Sequence, residues 1–287
     1  NCSPVIPDRF KDNAGSFAPP SDANANKKVL NYICSPDLFY YCTNGNDMQV
    51  NGVFFGSGRI NGVVGYDYLD YGLRGRIPPH LFYPISNATD LSYTFYRIPL
   101  LNPYKWNVTN EEDGEFYSAD TFSKLTKLIS LSNMFYFCII PANINLPVDS
   151  YVNCIQLQDI SSMFLSAQFE STSAMRQQVD GNLFSKNVNL RNISYAFASG
   201  QSTGDWSGRS PKKIDSTLFN VNKHKQLNNV TGLFYNAVST VGSVPEFWNW
   251  LNALGAASRA NTFYAMKKSN LSNSESIPTD WANGMTD

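Results

Sequence analysis

The feature that most constrains this chain is a pair of aromatic residues that recurs at a fixed distance. Four pairs are thirteen residues apart: Phe82/Phe95, Phe122/Phe135, Tyr151/Phe164 and Phe184/Phe197. Two later pairs are fifteen residues apart: Phe219/Phe234 and Trp248/Phe263. The distance from one pair to the next varies from 29 to 40 residues. Units this short cannot bury an apolar face alone, so the pattern predicts an array of units that pack against their neighbours.

Each aromatic of a pair belongs to its own motif. The second aromatic ends the pattern Leu-x-x-(Ile/Leu/Val)-(Ser/Thr)-x-x-Phe, with complete copies starting at Leu128, Leu157, Leu190 and Leu227. The first follows an apolar residue joined to Pro or Asp, as in Ile77-Pro78 and Ile214-Asp215. Pro and Asp favour helix starts, so each unit is predicted to hold a short strand and one or two helical turns. We expect the Ser or Thr hydroxyl to bond local backbone and the Phe to fill the core.

Parts of these motifs resemble the BspA-like branch of leucine-rich repeats. The segments that carry the resemblance are Ile77–Phe82, Met134-Phe135 with Cys138, Met163-Phe164 with Ala167, and Asn192–Phe197. The resemblance covers about residues 77 to 281. The periods are longer and less even than the about 20–29 residues of ordinary leucine-rich repeats, so it implies an irregular α/β repeat solenoid that carries loops. It also implies a surface-exposed protein of a bacterium, a protist or a virus of gut bacteria, with a binding role and no catalysis.

The first 76 residues differ from the rest. Asn51-Gly52 and Asn61-Gly62 are hairpin signals that flank short apolar runs. We therefore predict two regions: an N-terminal, partly β-hairpin cap at 1–76 and the leucine-rich-repeat-like solenoid at 77–287. Because the chain starts at Asn1, we expect a processed form or an excised piece.

The composition narrows the partners and the location. Only 16% of residues are charged and the net charge is -1, which offers no electrostatic basis for binding nucleic acid. No apolar run approaches about 20 residues, so membrane insertion is not expected. The resemblance and the low charge predict an extracellular, cell-surface or virion location. The oligomeric state stays open.

Cysteine and histidine give little basis for catalysis or cofactors. The five cysteines, Cys2, Cys34, Cys42, Cys138 and Cys154, form no CxxC pair. A disulfide between Cys34 and Cys42, or between Cys138 and Cys154, is sterically possible, but we favour buried apolar thiols. Of the two histidines, His80 is predicted to face solvent and His224 to lie in a loop. We predict no catalytic triad, no metal site and no cofactor.

Aromatic residues outside the repeated positions are the best candidates for binding. They are Tyr66, Tyr68, Tyr71, Tyr104, Trp106 and Trp206. Aromatic faces stack on sugars and anchor protein interfaces, although the same rings could instead pack the inserted loops onto the repeats. We predict a non-enzymatic attachment module for a protein or glycan on a cell or particle surface.

Two other functions remain as alternatives. The first is a structural virion or assembly component that packs against other subunits. The second is a glycan hydrolase that uses paired carboxylates, either in the cluster from Glu111 to Glu115 or at Asp67 and Asp70. A solvated acidic loop explains those carboxylates more simply.

Overall fold

The structure is a computed structural model that describes residues 38–39, 48–49, 77–96, 117–140, 146–169, 178–200, 211, 213–251 and 255–287. The strands in these segments are short: β1 (Met48–Gln49), β2 (Ala88–Asp90), β3 (Ile139–Ile140), β4 (Gln168–Phe169), β5 (Gln178–Val179) and β6 (Lys213–Ile214). So are the helical segments: 3-10 turns at Tyr83–Ile85, Ala119–Phe122, Phe247–Asn249, Lys268–Asn270 and Ser274–Ser276, and the single α-helical turn α1 (Ala256–Arg259). The predicted cap at 1–76 lies almost wholly outside the described residues.

Parallel pairing joins each described repeat to the next. Strand β1 pairs with β2, β3 with β4, and β5 with β6, all in parallel. Isolated parallel bridges connect five residues in succession, which we call the bridge ladder: Asp90, Ser130, Asp159, Asn192 and Asn229. Backbone hydrogen bonds cross it in both directions. For example, the Ile160 N–H donates to the Asn192 carbonyl at 3.0 Å, and the Asn192 N–H donates back to the Gln158 carbonyl at 3.1 Å.

The side chains of the bridge ladder close a tight turn in every repeat. Asp159 Oδ1 accepts from the Ser161 N–H at 2.7 Å, and the other four residues make the equivalent bond. The residue after that N–H adopts a left-handed backbone, with φ between 54° and 59° at Tyr93, Asn133, Ser162, Tyr195 and Gly232. The motif's own hydroxyl at Ser132 donates to the Ser92 hydroxyl of the preceding repeat at 2.8 Å. An oxygen two residues before the N–H is better placed to close the turn.

The repeated aromatic residues form two columns of packed rings. The first column contains Phe95, Phe135, Phe164, Phe197, Phe234 and Phe263, with neighbouring centroids 5.4–6.1 Å apart. The second contains Phe82, Phe122, Tyr151, Phe184, Phe219, Phe247 and Trp281, at 5.2–6.2 Å. The Phe39 ring precedes Phe82 in this column, and the two ring centroids are 6.0 Å apart.

The predicted burial of the aromatic anchors is confirmed, with one change of position. Each of the predicted anchors is less than 9% exposed. In the second column, however, Phe247 takes the place that the spacing assigned to Trp248. Trp248 instead meets Phe263 edge-on at 6.1 Å. Both residues belong to the 3-10 turn Phe247–Asn249 and are buried.

Trp281, the last ring of the second column, also packs against Phe263, the last ring of the first. Its ring lies 6.2 Å from Phe247 and 6.3 Å from Phe263. The Arg259 guanidinium lies 5.5 Å from the Trp281 ring centroid and forms an ion pair with Asp280. One indole therefore covers two columns, and a cation covers the indole.

Candidate functional site

The aromatic residues predicted to bind a partner lie outside the described residues. This holds for Tyr66, Tyr68, Tyr71, Tyr104, Trp106 and Trp206, and also for the carboxylates at 67, 70 and 111–115. What the structure does place is the attachment points of the insertions that carry three of them. Tyr104 and Trp106 belong to the segment 97–116, and Trp206 belongs to 201–210.

The insertions leave and rejoin the repeats at adjacent points. Four undescribed segments begin after Tyr96, Ile140, Phe169 and Gly200, which all lie just beyond a first-column ring. Strands β3 and β4, at two of these exits, pair with each other, and strands β5 and β6, at two of the returns, also pair. Consecutive insertions are therefore rooted side by side on one edge of the repeats.

A polar groove of about 410 Å³ opens beside β6. It is lined by Lys213, Ile214, Asp215, Ser216, Gly242, Ser243 and Ser272. Bridges join Lys213 to Val241 and Gly242 to Leu271, so the groove runs across three adjacent segments. The segments are far apart in the sequence, and nothing in the repeat motif marks these serines. Sequence reasoning therefore missed the groove.

Most polar side chains of the groove have no partner among the described residues. Asp215 Oδ1 accepts from the Thr217 N–H at 2.8 Å and from its hydroxyl at 2.7 Å. Among the residues that the structure describes, the Lys213 ammonium and the hydroxyls of Ser216, Ser243 and Ser272 make no hydrogen bond or ion pair. These groups are available to a ligand.

A second group of polar side chains is buried and bonds backbone carbonyls inside the fold. The Cys154 thiol donates to the Phe122 carbonyl at 3.7 Å, and the Asn187 amide donates to the Tyr151 carbonyl at 2.9 Å. His224 Nε2 lies 3.1 Å from the Phe184 carbonyl. Each side chain thus bonds the second-column residue of the preceding repeat. We call Cys154, Asn187 and His224 the buried polar row.

His224 and Cys154 are structural groups. His224 lies in a loop, as expected, and its side chain is completely buried. Its Nδ1 accepts from the Asn220 N–H at 3.2 Å, so Nε2 carries the proton. Burial lowers the pKa of His224 and raises the pKa of Cys154 to about 12. The imidazole of His224 is neutral and both of its nitrogens make hydrogen bonds, and the thiol of Cys154 is protonated. Neither side chain therefore has a free group for catalysis.

The other cysteine and histidine predictions that can be checked are confirmed. Cys138 and Cys154 are buried free thiols, so the disulfide considered between them does not form. Cys2, Cys34 and Cys42 lie outside the described residues. His80 is exposed, and its ring lies 4.3 Å from that of Tyr83.

A tyrosine patch lies on the outer side of the later repeats and was also missed. It consists of Tyr195, Tyr235 and Tyr264, with Tyr235 4.9 Å from Tyr264 in a stacked arrangement. The Tyr195 ring covers Gly232, where a Cβ would collide with it, and Tyr264 covers Gly284 in the same way. Tyr264 is 37% exposed. The repeated Phe-Tyr pairs at 234–235 and 263–264 were a visible signal for two of these rings.

In the described segments, no group of three or more His, Cys, Asp or Glu residues could hold a metal ion. No helix in those segments is long and apolar enough to span a membrane. Comparison of the chain with protein-family models, with curated proteins and with solved structures finds no match.

Proposed function

We propose that the chain is a non-enzymatic attachment module that binds a protein or glycan at the surface of a cell or virus particle. In this proposal, residues 77–287 form a leucine-rich-repeat-like solenoid, and inserted loops on one edge make the contacts. The observation that carries the proposal is the side-by-side rooting of consecutive insertions at β3–β4 and β5–β6. Loops with adjacent roots can combine into one continuous surface.

The repeats supply the rigidity that such a surface needs. Binding residues occur disproportionately on loops that a rigid scaffold positions. The bridge ladder joins each repeat to the next by backbone hydrogen bonds, and the buried rings pack between the repeats. The insertions differ in length and sequence, so the scaffold can stay the same while the surface varies.

The alternative, an assembly component that packs against other subunits, has one observation in its favour. Ile155 and Val188 are 53% and 48% exposed and occupy the same position in consecutive repeats. An exposed pair of aliphatic residues is compatible with a contact that becomes covered on assembly. Light scattering distinguishes the two functions, because a stable monomer at high concentration argues against obligate assembly.

A binding screen against glycans and cell surfaces tests the attachment function. The variants are Trp106→Ala and Trp206→Ala, with Trp106→Phe and Trp206→Phe as matched controls that retain an aromatic face. We expect each alanine variant to lose about tenfold or more in affinity, because hot-spot aromatic residues typically contribute about 2 kcal/mol or more. Turnover of a glycan in a reducing-sugar assay, lost on changing an inserted carboxylate, would instead establish the hydrolase alternative.

A further inference from the structure

We propose that the polar groove is a binding site for an uncharged saccharide. This inference rests on the proposed attachment function. It adds a site that lies on the repeats themselves and uses none of the inserted aromatic residues. The argument rests on the shape of the groove, its hydrogen-bonding groups and its balance of charge.

The shape depends on Gly242, which lies between β6 and the segment at Leu271 and Ser272. Its φ of +102° lies in the left-handed region, which side chains other than glycine rarely adopt. A Cβ here would lie 3.7 Å from Lys213 Cγ. Any longer side chain would therefore enter the groove beside Lys213. The open volume of about 410 Å³ falls within the about 300–1,000 Å³ of small-ligand sites.

The hydrogen-bonding groups of the groove are mixed in a way that suits sugar hydroxyls. Lys213 supplies donors, Asp215 supplies acceptors, and the hydroxyls of Ser216, Ser243 and Ser272 can do both. A sugar hydroxyl also donates and accepts, so a row of them can satisfy such a set. Asp215 Oδ1 is already held by Thr217, which orients the carboxylate and leaves its second oxygen without a partner in the described residues.

The charges of the groove argue against an ionic ligand. Lys213 and Asp215 are the two charged residues that line it, and they have opposite signs. Two backbone N–H groups of the groove are already used inside the fold. The Gly242 N–H donates to the Asn270 carbonyl, and the Asp215 N–H donates to the Val179 carbonyl. A phosphate would face a carboxylate and a metal ion would face an ammonium, whereas an uncharged polyol meets neither repulsion.

Calorimetric titration with soluble oligosaccharides tests the site on the full chain. The probes are tetrasaccharides of glucose, of mannose and of N-acetylglucosamine, together with a sulfated tetrasaccharide. Asp215→Asn keeps an oxygen for Thr217 and removes the charge that strengthens a bond to a sugar hydroxyl. Ser272→Phe places a ring at an exposed position of the groove wall. Asp180→Asn is the matched control, because Asp180 makes the same turn bond to the Asn182 N–H at 2.7 Å one repeat earlier.

We expect at least one uncharged tetrasaccharide to bind. Asp215→Asn should weaken that binding about tenfold, since a hydrogen bond to a charged group contributes about 1.5–3 kcal/mol. Ser272→Phe should abolish it, and Asp180→Asn should leave it unchanged. Thermal unfolding of each variant separates lost binding from lost folding, and Asp215→Asn alone tests the site if Ser272→Phe does not fold.

Three results would overturn the inference. One is that none of the uncharged tetrasaccharides binds, and another is that the sulfated one binds more tightly than all of them. The third is that Asp215→Asn and Ser272→Phe bind as the native chain does. If Trp106→Ala or Trp206→Ala loses surface binding while the groove variants retain it, the attachment function stands and this site does not. The reverse pattern supports the groove as the binding site and excludes the inserted aromatic residues Trp106 and Trp206 from binding.

Discussion

The two aromatic columns contain similar rings but are held together by different bonds. In the first column, backbone bonds join the repeats on either side of each ring, as when the Phe164 N–H donates to the Ala196 carbonyl at 2.9 Å. In the second column the turns bond within their own repeat, as when the Asn187 N–H donates to the Phe184 carbonyl. Contacts between repeats there come from the buried polar row.

This difference shows in the geometry of the rings. Planes of neighbouring first-column rings differ by at most 18°, whereas second-column planes differ by up to 42°. A backbone ladder repeats its spacing whatever the side chains are. A column held by side chains depends on which residue each repeat offers, and here the row changes from Cys to Asn to His. We therefore expect the first column to depend on ring volume and the second on particular polar groups.

Removing a first-column ring should have the largest effect. Phe164→Ala deletes a completely buried ring between Phe135 and Phe197, and we expect a loss of about 3–5 kcal/mol in the free energy of unfolding. Phe164→Leu is the control and should lose much less, because it keeps most of the volume. Chemical denaturation measures both. A loss of similar size for the two variants would show that the ring itself, and not its volume, is required.

Changing His224 tests the dependence of the second column on polar groups. His224→Leu retains an apolar side chain but removes the partner of the Asn220 N–H and leaves the buried Phe184 carbonyl with the Asn187 N–H as its remaining donor. We expect a loss of about 1–3 kcal/mol in the free energy of unfolding. His224→Asn introduces the residue found at the same position one repeat earlier and should recover part of it. If His224→Leu is as stable as the native chain, the contrast between the columns is wrong.

A substitution at Gly232 tests whether the turns of the bridge ladder tolerate a side chain at the left-handed position. Gly232→Ala places a Cβ against the Tyr195 ring and holds alanine at a φ of +57°, which should cost about 1–2 kcal/mol. Gly255→Ala is the matched control, since nothing lies within 4 Å of the Cβ that alanine would add there. Thermal unfolding compares the two. The double variant Gly232→Ala with Tyr195→Ala should relieve the collision and retain the backbone strain.

Titration of His224, in the buried polar row of the second column, should have a smaller effect, which appears in the pH dependence of stability. Burial lowers the pKa of His224 in the folded state below its ordinary value of 6.5. Above that value the imidazole is neutral in both states and contributes no pH dependence. As the pH falls from 6.5 toward the folded-state pKa, the unfolded chain binds a proton that the folded chain does not, so stability decreases. Denaturation midpoints measured across this window should decrease less for His224→Asn, and an identical slope in both proteins would contradict the assignment.

Spacing alone revealed most of the buried core but little of the candidate sites. The thirteen-residue interval located rings such as Tyr151 and Phe164 correctly, because a repeated ring must be buried by its neighbours. It assigned Trp248 to the second column, where the structure places Phe247, sixteen residues before Phe263. The sequence did not reveal the buried polar row, because the distance from the second-column ring to the next motif leucine changes between repeats. Phe184 lies six residues before Leu190, but Phe219 lies eight before Leu227. Counted back from these leucines, Asn187 and His224 occupy the same position.

What the sequence determined by itself is the set of rings that are buried, because apolar volume repeated at a regular interval leaves few other places for it. The tertiary structure alone decided which distant polar groups meet. Asp215, Gly242 and Ser272 come from separate repeats, and parallel pairing across about 30 residues makes them neighbours. Likewise, His224 is buried because a carbonyl 40 residues earlier accepts its proton. Pairing of this kind depends on register between repeats, and local residue preferences do not encode it.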